Sequence, residues 1–328
     1  MKRAGFLQVI AACALTAALG PAAAADYPER PIRIVVAFEA GGNTDLMARL
    51  LAEDMSRQFG KAVIVENRSG ANGIIGTEAV VKAKPDGYTL LFVSSSIAIN
   101  PSVYAKLPYD TQHDLIPTGE LARGQGLLVL VPATLPVTSL KDFVRQAKSA
   151  DAKWNYSSPG FGNYSHLAVA LFLNKTQGKL AHVPYKSSAQ AVTAVASGEV
   201  QLTMQPMSVS LPLLQAGKIK AIGFAGPKRF ADTPDVPTVA EAGFPDATLE
   251  GSWLGLFAPA GTAPDVIDRL NTAVVRARSN PKVLAALQSA AWDPGKTGSK
   301  NEFGSFVRSE INRYTEIANE AGITKMAQ

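Results

Sequence analysis

Cysteine is almost missing from this chain: of 328 residues the single one is Cys13, inside an apolar N-terminal stretch. A disulfide framework is thereby excluded, and so are thiol chemistry in the body of the chain and cysteine-bound zinc. Histidine is nearly as scarce. His113, His166 and His182 fall at no H-E-x-x-H or other metal-ligand spacing, so neither a metal nor another cofactor is expected. Lysine and arginine never gather into a run, which argues against a nucleic-acid surface. Past the N-terminus no segment approaches the ~20 apolar residues of a membrane span. The nearest, "GLLVLVPATLPV", is short and broken by Pro132 and Pro136. There is no G-x-S-x-G elbow and no P-loop lysine.

What is present begins with an export signal. Met1-Lys2-Arg3 is basic, Gly5 to Leu19 is apolar apart from Gln8, and Gly20-Pro21 precedes the small residues Ala22 to Ala25. This layout predicts a signal peptide over residues 1–25, cut after Ala25. "IAAC" also resembles a lipoprotein processing box at Cys13, but the residues after it continue the apolar segment, which favours ordinary cleavage. Of 328 residues, removal of 25 leaves 303, enough for two domains, and the net charge of +5 falls to +3 without Lys2 and Arg3.

The mature chain alternates short β-rich runs with longer helical patterns. "IRIVVAF" (32–38), "AVIVEN" (62–67) and "YTLLFVS" (88–94) read as strands, with "DLMARLLAEDMSRQFG" an amphipathic helix stopped by Gly60. The rhythm restarts after "ARGQG" (122–126) with "LLVLV", "WNYSS", "AHVPY" and "VQLTMQ" as strands. "DVPTVAEAGF" suggests a short capped helix, and "SWLGLFAP" a strand before helices at 264–279, 281–290 and 301–320. Such repetition predicts parallel sheets covered by helices, arranged as two α/β lobes. The expected division is a discontinuous first lobe, 26–124 plus 253–328, and a second lobe, 125–252.

Four polar, small-residue loops fall at predicted strand ends, where ligands of α/β sheets bind. They are "FEAGGNTD" (38–45), "SSSIAINP" (94–101), "SSPGFGNYSH" (157–166) and "PYKSSAQ" (184–190). In the first, Gly41 and Gly42 precede a helix start whose unpaired N–H groups suit an anion. Each loop alone could be a structural turn; their recurrence in both halves favours a cleft rich in neutral donors. Ser165 and His166 are adjacent on a predicted helix, so their side chains diverge and form no nucleophile–base pair.

Several segments together resemble the receptors of tripartite tricarboxylate transporters, the Bug group of extracytoplasmic solute-binding proteins. They are "YPERPIRIVVAFEAGGNTDLMARLLAE", "KAKPDGYTLL", "HVPYKSSAQAVTAVASGEVQL", "DVPTVAEAGFP" and "SWLGLFAPAGTAPDVIDRLN", and the likeness runs from about residue 27 to 323. It implies a type II periplasmic-binding-protein fold, two lobes around a ligand cleft joined by two hinge segments. It implies a monomer that captures a small carboxylate in the periplasm and hands it to membrane permease subunits, without catalysis. A sensor kinase as the partner is the alternative, and a periplasmic hydrolase a third reading that lacks a nucleophile–base pair.

By the same resemblance the ligand carboxylate lies between two loops. Phe38, Gly41, Gly42, Asn43, Thr44 and Asp45 belong to the first. Ser157, Ser158, Gly160, Phe161, Gly162, Tyr164 and Ser165 belong to the second, and Ser94, Ser95 and Tyr185 are further candidates. Asp45 reads equally as a contact or as a helix-start residue. The chain departs from the family pattern at Glu39, an acid beside the cradle, and at Gln205, where many relatives carry Asp. A cleft-facing Glu39 would repel a second ligand carboxylate; an outward Glu39 would not. The cleft-facing case predicts a ligand with one carboxylate and an apolar, aromatic or hydrogen-bond-donating remainder.

Overall fold

The computed structural model describes residues 27–149, 153–249 and 251–326, so the expected signal peptide and Cys13 lie outside the described residues. In chain order the first part forms β1 (Ile32–Val36), α1 (Asn43–Phe59), β2 (Val63–Asn67), α2 (Ile74–Val81), β3 (Thr89–Ser94), α3 (Ser96–Val103), β4 (Leu115–Gly124) and β5 (Leu127–Pro132). Next come α4 (Leu140–Ala147), β6 (Trp154–Ser158), α5 (Tyr164–Thr176), β7 (Leu180–Pro184), α6 (Ser188–Ala196), β8 (Leu202–Gln205), α7 (Met207–Gln215) and β9 (Ile219–Ala225). The chain closes with β10 (Trp253–Pro259), α8 (Pro264–Ala277), α9 (Pro281–Ser289), β11 (Trp292–Pro294) and α10 (Lys300–Glu320).

Local sequence explains the regular elements. Met47, Ala48, Leu51, Ala52 and Met55 recur at helical spacing and are buried on one face of α1, which ends at Gly60 in the left-handed conformation. Ser139, Ser187 and Ser299 cap α4, α6 and α10 by accepting a backbone N–H. Among the described residues no helix is long and apolar enough to cross a membrane.

Two sheets result, ordered β11-β4-β10-β3-β1-β2 and β7-β6-β8-β5-β9. Each has a parallel core, β2-β1-β3 in one and β7-β6-β8 in the other. The sheets are nevertheless mixed, not parallel as the repetition predicts. β10 runs antiparallel to β3 and β4, and β5 antiparallel to β8 and β9. The reason is connectivity: β5 and β10 each begin just after the chain crosses from the other lobe, so they run against the strands of the βα units.

The two crossings, β4 to β5 and β9 to β10, touch where the Gly124 N–H donates to the Ser252 carbonyl at 2.6 Å. A side-chain carbon on Gly251 would collide with the Gly124 carbonyl, so the approach requires glycine there. Buried Trp253, at the return, packs edge-on against Phe303 and donates from Nε1 to Glu310 at 3.1 Å.

Three local readings need correction. Leu115–Gly124 is a ten-residue strand where no strand is predicted. Pro117, Gly119 and a buried Glu120 disguise it, and Glu120 is satisfied by Arg123 and by the N–H groups of Lys296 and Thr297. The serine loop at 94–101 becomes α3 from Ser96 onward. "DVPTVAEAGF" forms hydrogen-bonded turns: Thr238 and Glu241 cap one another reciprocally, but Gly243, with φ 92°, and Pro245 stop the helix from propagating.

Candidate functional site

The first loop is stiffened by Asp45. Its buried carboxylate accepts the Gly41 N–H at 2.9 Å, Arg49 Nε at 3.0 Å and Asn67 Nδ2 at 2.9 Å. Burial alone would raise its pKa; the hydrogen bonds from Arg49, Gly41 and Asn67 outweigh that and hold the group below the usual value. Gly41 takes φ 82°, which suits glycine. Gly42 precedes α1 without any side-chain cap, leaving the N–H groups of its first turn to other acceptors. Phe38 is half-buried beneath the loop, its carbonyl accepting Asn67 Nδ2 at 3.0 Å, Thr44 is half-buried, and Glu39 is exposed.

The second loop rests on a stack of rings. His166 and His182 lie 4.1 Å apart, nearly parallel, with Tyr156 stacked 4.9 Å from His182 and Phe161 4.9 Å from His166. His182 Nε2 meets Ser158 Oγ at 2.7 Å, and the Gly162 N–H donates to His166 Nδ1 at 3.2 Å. Burial, joined by the charge His182 would carry, pushes His166 down to about 3; burial pushes His182 down to about 4. Both rings are therefore neutral near pH 7, and an unprotonated Nδ1 is what lets His166 accept from the loop.

The lobes meet at these loops. Asn43 Nδ2 donates to Ser208 Oγ of the second lobe at 3.0 Å. Asn72 Nδ2 donates to the Gly162 carbonyl at 2.8 Å while also reaching Asn100 at 2.9 Å. Phe161 sits edge-on to Tyr104 with centroids 6.4 Å apart. These contacts bring the 38–45 and 158–165 segments to one inter-lobe seam.

Other candidates have local duties. Ser94 Oγ bonds Ser96 Oγ at 3.3 Å, and buried Ser95 bonds Ser252 Oγ at the hinge at 2.7 Å. Tyr164 donates to the Leu249 carbonyl at 3.0 Å. The Tyr185 hydroxyl donates to Glu199 at 2.8 Å; burial and that carboxylate push it up to about 12. Gln205 is fully buried and donates from Nε2 to Ser165 Oγ at 3.0 Å and Thr203 Oγ1 at 3.2 Å.

The seam residues Asn72, Asn100 and Ser208 and the ring His182 escaped sequence reasoning. Asn72 carried one faint signal: it follows Gly70-Ala71 in a loop already marked by glycine, and it adopts φ 51°.

The Ser158–His182 contact supplies the kind of hydroxyl–imidazole pair that the hydrolase reading of the sequence lacked. Yet His182 is stacked between rings with its basicity lowered, a poor general base at neutral pH.

Comparison with known proteins decides the matter. The model of the tripartite tricarboxylate transporter family receptor matches residues 47–323. This chain belongs to that receptor family. It is 33% identical to protein BugT of Bordetella pertussis over 325 residues, 98% of this chain and 99% of the relative. The R. palustris protein Rpa4515, solved with adipate, superposes with a TM-score of 0.84 at 34% identity, covering 92% of this chain and 100% of that one. MatC from Rhodopseudomonas palustris, solved with bound malate, gives 0.79 at 30% identity, covering 89% and 99%. A tripartite tricarboxylate transporter receptor binds solute and does not transform it. The Ser158–His182 pair is thus loop architecture, and the two-lobed periplasmic-binding-protein fold is common to these relatives.

Proposed function

We propose that the protein captures a small carboxylate in the periplasm, between the 38–45 loop of one lobe and the 158–165 loop of the other. It then presents the ligand to membrane permease subunits of a tripartite tricarboxylate-type transporter. The observation that carries this reading is the uncapped N-terminus of α1, held at the inter-lobe seam by Asn43 and Ser208. Its N–H groups and the positive end of the helix dipole favour an anion. Relatives solved with adipate and malate support the carboxylate class.

Lobe 1 is proposed as 26–124 plus 253–328 and lobe 2 as 125–252, working as a monomer behind a cleaved signal peptide. Phe38, Gly42, Asn43, Thr44, Phe161, Gly162 and Ser165 line the ligand on this reading. On this reading Glu39, exposed on the same loop, turns toward the cleft and disfavours a second ligand carboxylate, so monocarboxylates, aromatic ones included, are preferred.

A thermal-shift panel on the stripped mature protein tests this. A bound carboxylate at a hundred times its dissociation constant adds about 2.7 kcal/mol, a rise of about 2–4 °C per kcal/mol. Monocarboxylates should shift the protein more than dicarboxylates, and Glu39→Ala should narrow the gap. No shift with any carboxylate would refute the carboxylate reading, and a gap unchanged in Glu39→Ala would refute the role of Glu39.

A further inference from the structure

Gln205 ends β8, at the same sheet edge as Ser158 on the neighbouring parallel strand β6, three residues before Ser208 and its bridge to Asn43. Its side chain is fully buried, yet no donor of the described chain reaches its Oε1. The amide cannot be turned round to remove the orphan. Ser165 Oγ already gives its proton to the Met204 carbonyl, and Thr203 Oγ1 gives its own to the Ser157 carbonyl at 2.9 Å. Both hydroxyl oxygens can then only accept, so the amide NH2 must face them and Oε1 must face away. A buried acceptor without a donor costs about 1–3 kcal/mol. Such a cost is typical of an atom that gains its partner only when the protein is at work.

We infer that Gln205 Oε1 accepts a hydrogen bond from the ligand itself. The receptor's solutes are then carboxylates that also carry a hydroxyl or N–H group, an inference that rests on the carboxylate reading above. A ligand that brings a donor relieves the cost of the buried acceptor, and one that lacks it leaves that cost in place. Gln205 is neutral, so a hydroxyl satisfies it without any countercharge.

The test is titration calorimetry of the stripped mature protein with four- to six-carbon mono- and dicarboxylates, each beside its hydroxyl and amino derivatives at successive chain positions. At least one derivative should bind more than about tenfold tighter than its parent, the order expected for a matched donor. Gln205→Leu should bring that ratio to within about twofold, chiefly by weakening the derivative that supplies the donor. Wild-type protein alone suffices to overturn the idea: parents binding as tightly as every derivative would mean that water or nothing serves Oε1. A folded Gln205→Leu variant that keeps the preference would overturn it as well. If no carboxylate of either kind binds, the carboxylate reading fails and this inference falls with it, whereas equal binding of parents and derivatives removes this inference alone.

Discussion

Asp45 shows how a single buried carboxylate can fix the shape of a loop from within. It gathers Gly41, Arg49 and Asn67 around one buried group, just ahead of a helix start that has no side-chain cap. Asp45→Ala strands three donors, so a loss of about 1–3 kcal/mol in chemical denaturation is expected. Carboxylate affinity should fall in parallel, because the loop is no longer held. A variant with undiminished stability and affinity would show that the loop holds its shape otherwise. Of the two sequence readings of Asp45, the helix-start one needs only local spacing. Its bond to Asn67, 22 residues away, could not be seen before β1 and β2 were paired.

At the scale of elements, the β6–α5 loop is fastened to two neutral histidines, and this makes its stability depend on pH. Their folded pKa values lie near 3 and 4, below the ordinary value of 6.5. Above about pH 6.5 both states are neutral and the histidines have no linkage effect. As pH falls below that, the unfolded chain takes up protons the folded one refuses, and stability declines until the folded pKa values are reached. At pH 5.5 the loss is about 1.4 kcal/mol for each ring relative to pH 7.5. Thermal denaturation at the two pH values should show it, and His166→Phe together with His182→Phe should flatten the dependence. An unchanged slope in the double variant would place the titrating groups elsewhere. Most elements were legible because buried strands such as Ile32–Val36 and one-faced helices such as α1 carry their own pattern. β4 was not, since it pairs with β10 and β11, which follow far later in the chain. The mixed sheet directions were hidden for the same reason.

On the scale of the whole molecule, two lobes touch through residues far apart in the sequence. The Asn43–Ser208 bond spans 165 residues and links the start of α1 to the start of α7. If closure over a ligand uses this bond, Asn43→Ala and Ser208→Ala should each weaken carboxylate binding by about two- to tenfold, and the double variant little further, as for one shared bond. Fully additive losses in titration calorimetry would mean that the two residues act apart. The seam was the least legible feature in the sequence. Glycine-rich loops marked two segments of the seam, but which asparagine meets which serine follows only from the relative placement of the lobes.

The most direct measurement compares one tight-binding carboxylate with its own carboxamide on the stripped mature protein. The two differ by a charge and hardly in shape, so an anion cradle at α1 predicts at least about tenfold weaker binding of the amide, the scale of charge-assisted hydrogen bonds. Equal affinity for the amide would contradict the capture of a carboxylate at this seam.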